Sequence, residues 1–132
     1  MTIFSRIVAG EIPCYKVAEN DYFLAFLDIT PVQKGHVLVI PKKEIDYIFD
    51  IEDDLIGDMM IFSKKVANAI KAVFPCERIG VAVIGLEVPH AHIHLIPINS
   101  LSDMDFKNVR LKLDSAEMSD IAQRIHQAYS AQ

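Results

Sequence analysis

The stretch His90-Ala91-His92-Ile93-His94-Leu95-Ile96 has a histidine at every second position, with apolar residues between them. Because a β-strand sends alternate side chains to opposite faces, this spacing predicts a strand over residues 90–97. The three imidazoles would then share one face, about 6.5–7 Å apart, and Ala91, Ile93 and Leu95 would face the core. Since imidazole binds metals and transfers protons near neutral pH, the row predicts a chemical site or a metal site.

Three uses of this histidine row are open from the residues alone. A neutral imidazole can attack a phosphate ester, anhydride or amidate while its neighbours hold the phosphate oxygens. His36, which begins an earlier strand after Gly35, is a candidate fourth member of such a site. Alternatively, two of the histidines could bind zinc with a third as a further ligand, or all three could merely decorate a half-exposed strand. The regular spacing favours phosphate chemistry.

Composition indicates a single globular domain over residues 1–132. The chain is 52% apolar and 23% charged, which is ordinary for a globular protein. A formal net charge of −5 argues against nucleic acid as a partner, because nucleic-acid binding needs a basic face. The only cysteines, Cys14 and Cys76, are expected to be free thiols in a reducing cytoplasm. We expect no signal peptide and no membrane span.

The pattern of the remaining residues predicts an α+β fold with a mostly antiparallel sheet. Apolar residues recur every three or four positions over residues 53–73, which is typical of a long amphipathic helix. A short helix is predicted over residues 2–9, and the spacing of Asp114 and Glu117 predicts the start of a C-terminal helix that ends near residue 129. The predicted strands cover residues 14–19, 22–27, 36–40, 78–86 and 90–97, with one more over 106–113.

The run at 90–96 fits the pattern His-φ-His-φ-His-φ-φ, where φ is apolar, and the chain therefore resembles the histidine triad (HIT) superfamily of nucleotide hydrolases and transferases. Residues 3–13, 26–31 and 35–42 resemble three further landmarks of that family in the same order. The resemblance covers a core at about 3–97 and is nearest to the Hint group, which cleaves purine nucleoside phosphoramidates. It implies a five-stranded antiparallel sheet with flanking helices, paired into a homodimer.

Carried over by position, the resemblance makes His92 the nucleophile, with His94 and His90 as its phosphate-binding and supporting partners. His36 would extend their network. Asp28 would accept hydrogen bonds from ribose hydroxyls, although the residues alone allow a turn-forming carboxylate equally well. The resemblance also implies an apolar slot for the base, whose members would otherwise be assigned to core packing: Phe4, Ile7, Ile29 and Leu38.

Three positions depart from a structural zinc site that many bacterial relatives carry. That site uses Cys-x-x-Cys near the start, a histidine after the Pro-Lys segment and the first histidine of the triad. Here the first three positions hold Thr2, Ser5 and Glu44. Because a zinc site needs nearly its full set of ligands, we expect no metal there, and no cofactor elsewhere.

The residues that lead into the triad depart as well. Relatives usually carry an Asn-x-Gly loop and a Gly-Gln-Ser segment that contact the phosphate and the leaving group. Here Leu86 cannot hydrogen-bond through its side chain, and Glu87 would repel phosphate or select a cationic leaving group if it faced the pocket. Exposure of Glu87 to solvent is the plainer interpretation. Residues 100–132 are expected to add a strand and a helix that the Hint branch lacks.

The sequence thus predicts a dimeric, cytoplasmic nucleotidyl hydrolase that forms a covalent intermediate on His92. Its substrates would be nucleoside 5′-phosphoramidates or related conjugates of a purine nucleotide. A dinucleoside polyphosphate hydrolase is the alternative within the same class. A nucleotide-binding module with little turnover is another alternative, because the usual Asn and Gln-Ser groups are missing. The net negative charge of the chain argues against a DNA-repair deadenylase, which would have to bind nucleic acid.

Overall fold

A computed structural model describes residues 1–132 and contains one five-stranded sheet and three α-helices. All neighbouring strands are antiparallel, and their order across the sheet is β1-β2-β3-β5-β4. The elements are α1 (Ile3–Val8), β1 (Lys16–Glu19), β2 (Phe23–Leu27), β3 (Val37–Pro41), α2 (Asp53–Val73), β4 (Arg78–Ala82), β5 (Ile93–Ile98) and α3 (Ser115–Ser130), with short 3-10 turns at Ile48–Asp50 and Leu101–Met104. The α+β fold and the five-stranded antiparallel sheet are as predicted.

Apolar side chains are buried on both faces of the sheet, but different elements pack against the two faces. On one face, α2 and α3 pack over alternate residues of the central strands, including Val37, Val39 and Leu95, and form the main core. On the other face, the short α1 is the only α-helix that packs against the sheet. A smaller apolar cluster lies there: Phe4, Leu24, Phe26, Leu38 and Ile40. This thinly covered face leaves room for a cavity.

The predicted helices are confirmed, and their ends follow from local chemistry. The bounds of α2 match the predicted range of 53–73. The carboxylate of Asp114 accepts the Glu117 backbone N–H at 2.8 Å, so it caps α3 as the spacing indicated. The short helix α1 ends before Gly10, whose positive φ of 79° is a conformation that glycine adopts without strain. No helix of the structure combines the length and apolar character that a membrane span requires.

One predicted strand is shorter and more exposed than expected, and another does not form. Residues 78–86 were expected to form a buried strand, but β4 ends at Ala82 and lies at the edge of the sheet. Its apolar residues are partly exposed because no further strand flanks it; Val81, for example, is 52% exposed. Residues 106–113 form no strand; instead of a ladder they make isolated hydrogen bonds to the loop after β2, as where Leu111 N–H donates to Pro31 C=O.

The strand expected over 90–97 begins only at Ile93, so the three histidines do not share the geometry of one strand. Pro89 and the loop before it hold residues 90–92 outside the sheet, where Ala91 N–H donates to Ile45 C=O at 2.6 Å. Ala91, Ile93 and Leu95 nevertheless face the main core, as the alternation predicted.

Candidate active site

A cavity of about 460 Å³ opens on the face of the sheet that α1 covers. Its walls are mainly apolar, and two triad histidines, His92 and His94, line it together with Asp28. The four side chains predicted to hold a base line the same cavity: Phe4, Ile7, Ile29 and Leu38. Thus most of the predicted site residues meet in one cavity, whereas His90 and His36 lie behind its wall and are completely buried.

His92 is oriented by the backbone of the triad itself. Its Nδ1 lies 2.7 Å from the carbonyl oxygen of His90, and a carbonyl can only accept, so Nδ1 carries the proton. In the neutral ring the lone pair therefore resides on Nε2, which hydrogen-bonds to no other group of the chain. The ring is held edge-on between Phe4, at 5.1 Å between centroids, and His94, at 5.0 Å. This arrangement presents an unprotonated nitrogen to the cavity.

A hydrogen bond joins the rings of His36 and His94, and its direction follows from the other partner of His36. Val32 N–H donates to Nδ1 of His36 at 3.2 Å, so the proton of a neutral His36 ring is on Nε2. That Nε2 lies 2.9 Å from Nδ1 of His94, which must then accept. The proton of a neutral His94 is consequently on its Nε2, which is free of partners within the chain and belongs to a cavity-lining ring.

The assignment of neutral rings follows from burial. Burial lowers the pKa of His36 to about 3, with the positive charge of Arg110 acting in the same direction. Burial also lowers the pKa of His94 to about 3, and the neighbouring His36 and His92 add to the shift. Both rings are therefore uncharged at neutral pH. His94 offers a phosphate an N–H donor and no formal positive charge.

His90 is the anchor of the triad, since both of its ring nitrogens bind protein groups. Its Nε2 donates to Pro41 C=O at 2.8 Å, which leaves Nδ1 to accept from the Thr2 hydroxyl at 2.9 Å. The hydroxyl of Ser5 donates to Glu44 at 2.5 Å, and the same carboxylate accepts Thr2 N–H at 2.8 Å. Burial lowers the pKa of His90, in keeping with a neutral ring.

Thr2, Ser5 and Glu44, which replace the ligands of the bacterial zinc site, therefore lie close together around His90. Thr2 and Ser5 begin α1, with Ser5 N–H capped by the Thr2 hydroxyl at 2.9 Å, and Glu44 follows β3. Their hydrogen bonds tie the start of α1 to the loop after β3 and to the first triad histidine. The sequence indicated only that zinc ligands are missing there, and it gave no sign that their replacements bond to one another.

Asp28 lies at the end of β2, against the buried histidine pair. One carboxylate oxygen accepts Thr30 N–H at 2.8 Å, which is the turn-forming role that the residue type allowed. The other oxygen lies 3.6 Å from Nε2 of His36. Asp28, His36 and His94 bring one potential metal-ligating atom each within 4.8 Å of one another, so these residues could in principle hold a metal ion. The prediction that none binds stays a prediction.

Two cavity residues come from a segment to which the sequence assigned only a strand. The Phe106 ring packs edge-on against His94, at 4.8 Å between centroids, and Arg110 lies beside it. Leu86 and Glu87 line the mouth of the same cavity, and both side chains are exposed there. No local motif marked Phe106 or Arg110, because their position depends on how residues 99–114 fold back over β2 and β5.

Comparison with known proteins identifies the family. The HIT domain family model matches residues 9–101, well over half of the chain. "Protein hit" of Bacillus subtilis is 42% identical over 102 residues, which cover 72% of this chain and 69% of that protein. The adenosine 5′-monophosphoramidase HNT1 of Saccharomyces cerevisiae is 40% identical over 96 residues, covering 72% of this chain and 61% of the yeast protein.

A solved structure agrees with the fold over nearly the whole chain. The Hit-like protein of Bartonella henselae superposes with a TM-score of 0.83 at 29% identity, and the match covers 96% of this chain and 95% of that one. The cavity, the three histidines of the triad and these matches define a protein of the nucleotide-binding histidine triad class. The chain belongs to the HIT family.

Proposed function

We propose that this protein hydrolyses nucleoside 5′-phosphoramidates, or related conjugates of a purine nucleotide, through a nucleotidyl group bound covalently to His92. The observation that carries the proposal is the 2.7 Å contact between His92 Nδ1 and the His90 carbonyl, which leaves Nε2 unprotonated at the cavity wall. The name of the yeast relative, an adenosine 5′-monophosphoramidase, supports the same substrate class.

In the proposed first step, the lone pair of His92 Nε2 attacks the α-phosphorus. A P–N bond forms to His92 while the bond from phosphorus to the leaving amine breaks, and the amine takes a proton from solvent. The imidazole becomes positively charged, and the His90 carbonyl stabilises this charge through the Nδ1–H bond. His94 Nε2–H would donate to a non-bridging phosphate oxygen. Water then attacks phosphorus, the P–N bond to His92 breaks, and a proton of the water passes to solvent, which releases the nucleoside monophosphate and neutral His92.

A side-by-side assay tests the substrate class. Adenosine 5′-phosphoramidate and a diadenosine polyphosphate are incubated separately with the purified protein, and release of AMP is followed by chromatography. We expect the phosphoramidate to give the higher kcat/KM. A higher kcat/KM for the diadenosine compound would make the protein a dinucleoside polyphosphate hydrolase instead. Binding of AMP without turnover of either compound would make it a nucleotide-binding module and contradict the proposed enzyme.

We further propose that the protein acts as a homodimer in the cytoplasm. The edge strand β4 has backbone groups that pair with no neighbour on its outer side, and exposed apolar residues continue from it into the next loop. Met60 and Ile61 on α2 are also exposed, at 53% and 64%. A second copy that pairs with β4 and covers this part of α2 would bury both features. Free Cys14 and Cys76 suit the reducing compartment.

Substitution of an exposed apolar residue on α2 tests the dimer. Ile61→Asp is expected to convert the protein to a monomer, because a buried unpaired carboxylate is strongly unfavourable at an apolar interface. Size-exclusion chromatography with light scattering gives the mass of each variant. Gln123→Asp, at an exposed position of α3, is the control for introducing the carboxylate. A wild-type protein that is monomeric at micromolar concentration would contradict the proposal.

A further inference from the structure

Arg110 reaches the cavity from outside the part of the chain that the family model matches. That match ends at residue 101, and the following segment folds back over the loop after β2. Two hydrogen bonds hold it there: Leu111 N–H donates to Pro31 C=O at 2.9 Å, and Arg110 Nη1 donates to Thr30 C=O at 2.7 Å. The segment therefore places a guanidinium at the cavity in a defined position.

This guanidinium is the only permanently cationic group that lines the cavity. The other ionisable residues in its wall are two carboxylates, Asp28 and Glu87, two histidines and the thiol of Cys14, and none of these carries a permanent positive charge. His94 is uncharged at neutral pH, as is His36 behind it, because burial holds both pKa values near 3. Any fixed positive charge for an anionic ligand must therefore come from Arg110.

Most of the hydrogen-bonding capacity of Arg110 is unused. A guanidinium carries five N–H donors, and the structure gives this one a single hydrogen bond, to Thr30 C=O. The nearest carboxylate oxygen, on Asp28, is 3.9 Å away, beyond hydrogen-bonding distance. The side chain is 32% exposed, so a ligand in the cavity can reach the remaining donors.

Arg110 lies beside Asp28, the residue proposed to bind the ribose, with its Nη1 atom 3.9 Å from a carboxylate oxygen. The Phe106 ring packs against both Arg110 and His94: its centroid is 5.6 Å from the guanidinium carbon and 4.8 Å from the centroid of the His94 ring. If His92 and His94 hold the phosphate under attack, the spare donors of Arg110 are available to a second anionic group.

We propose that Arg110 binds a second phosphate of the substrate, so that the cavity prefers nucleotides carrying a phosphate besides the one that His92 attacks. This inference rests on the proposed nucleotide site. Guanidinium groups bind phosphate through paired N–H donors. The second phosphate has two sources that present the same chemistry to Arg110, the 2′ or 3′ position of the ribose and the leaving group, and the titration below distinguishes them.

Binding measurements test the preference without requiring turnover. Calorimetric titration compares AMP, adenosine 3′,5′-bisphosphate and ADP against the full-length protein. We expect adenosine 3′,5′-bisphosphate or ADP to bind about 10-fold or more tightly than AMP, the scale of one charge-assisted hydrogen bond. Tighter binding of the bisphosphate alone would assign the second phosphate to the ribose. Tighter binding of ADP alone would also support a second phosphate site and would assign it to the leaving-group side. Equal affinities for all three ligands would overturn the proposal.

Two variants separate binding by Arg110 from its role in holding the segment. Arg110→Gln keeps an N–H donor for Thr30 C=O and removes the charge; we expect it to abolish the preference and to change AMP affinity less than about 3-fold. Lys107→Gln removes the same charge from an exposed position of the same segment and should retain the preference. Equal weakening of all three ligands by Arg110→Gln would identify a structural role only. Failure of wild-type protein to bind AMP would instead reject the proposed function.

Discussion

His92→Ala is expected to lower the turnover of adenosine 5′-phosphoramidate by about 10⁴-fold or more, the scale seen when an enzyme loses its nucleophile. The variant removes the only ring whose unprotonated nitrogen faces the cavity, since the Nδ1 acceptors of His90 and His94 are occupied by Thr2 and His36. None of these rings can replace His92 without reorganising its hydrogen bonds. Steady-state release of AMP measures the loss.

The covalent intermediate gives a second measurement that a loss of binding alone would not produce. Wild-type protein quenched in alkali during turnover should gain the mass of one nucleotidyl group, because a phosphorus–nitrogen bond to histidine is labile in acid. His92→Ala should not gain it. His126→Gln is a matched control, because His126 lies on α3 outside the cavity and donates through Nδ1 to Val17 C=O at 2.8 Å, which an amide can also do. Full turnover by His92→Ala would contradict the assignment of the nucleophile.

Some features of the fold could be predicted because they depend on short local patterns. The alternation at 90–96 identified the core-facing Ala91, Ile93 and Leu95, although the strand begins only at Ile93. The spacing of Asp114 and Glu117 located the start of α3. Both signals depend on neighbours in sequence and on the periodicity of regular structure, which hold in almost any tertiary context.

Other features depend on contacts between distant parts of the chain, which local patterns do not encode. The hydrogen bond between Thr2 and His90 joins residues 88 positions apart, and that between Arg110 and Thr30 joins residues 80 apart. The apolar run after Arg78 resembled a buried strand in composition, yet the strand lies at the edge of the sheet. Burial of a strand depends on its order in the sheet, and composition alone does not fix that order.

Gly35→Ala is expected to lower the free energy of unfolding by about 2–4 kcal/mol, from a left-handed backbone penalty and a steric clash together. Gly35 has a φ of 90°, which disfavours residues with a Cβ atom. An added Cβ would lie 2.8 Å from Cδ2 of Phe74 and 3.4 Å from Cγ of Pro97. The ring of Phe74 would have to move from the end of α2, where it packs against the main core.

The same substitution should affect the site, because Gly35 directly precedes His36 in a turn closed by a bond from His36 N–H to Gln33 C=O at 3.1 Å. Urea unfolding followed by circular dichroism measures the stability, since the chain has no tryptophan. Gly57→Ala is the control: Gly57 is an exposed position of α2 with no atom within 4 Å of an added Cβ. That variant should be about 0.5–1 kcal/mol more stable than wild type, from helix propensity. A loss below about 0.5 kcal/mol for Gly35→Ala would mean that the turn before His36 relaxes without cost, and that its backbone does not fix the position of the ring that donates to His94.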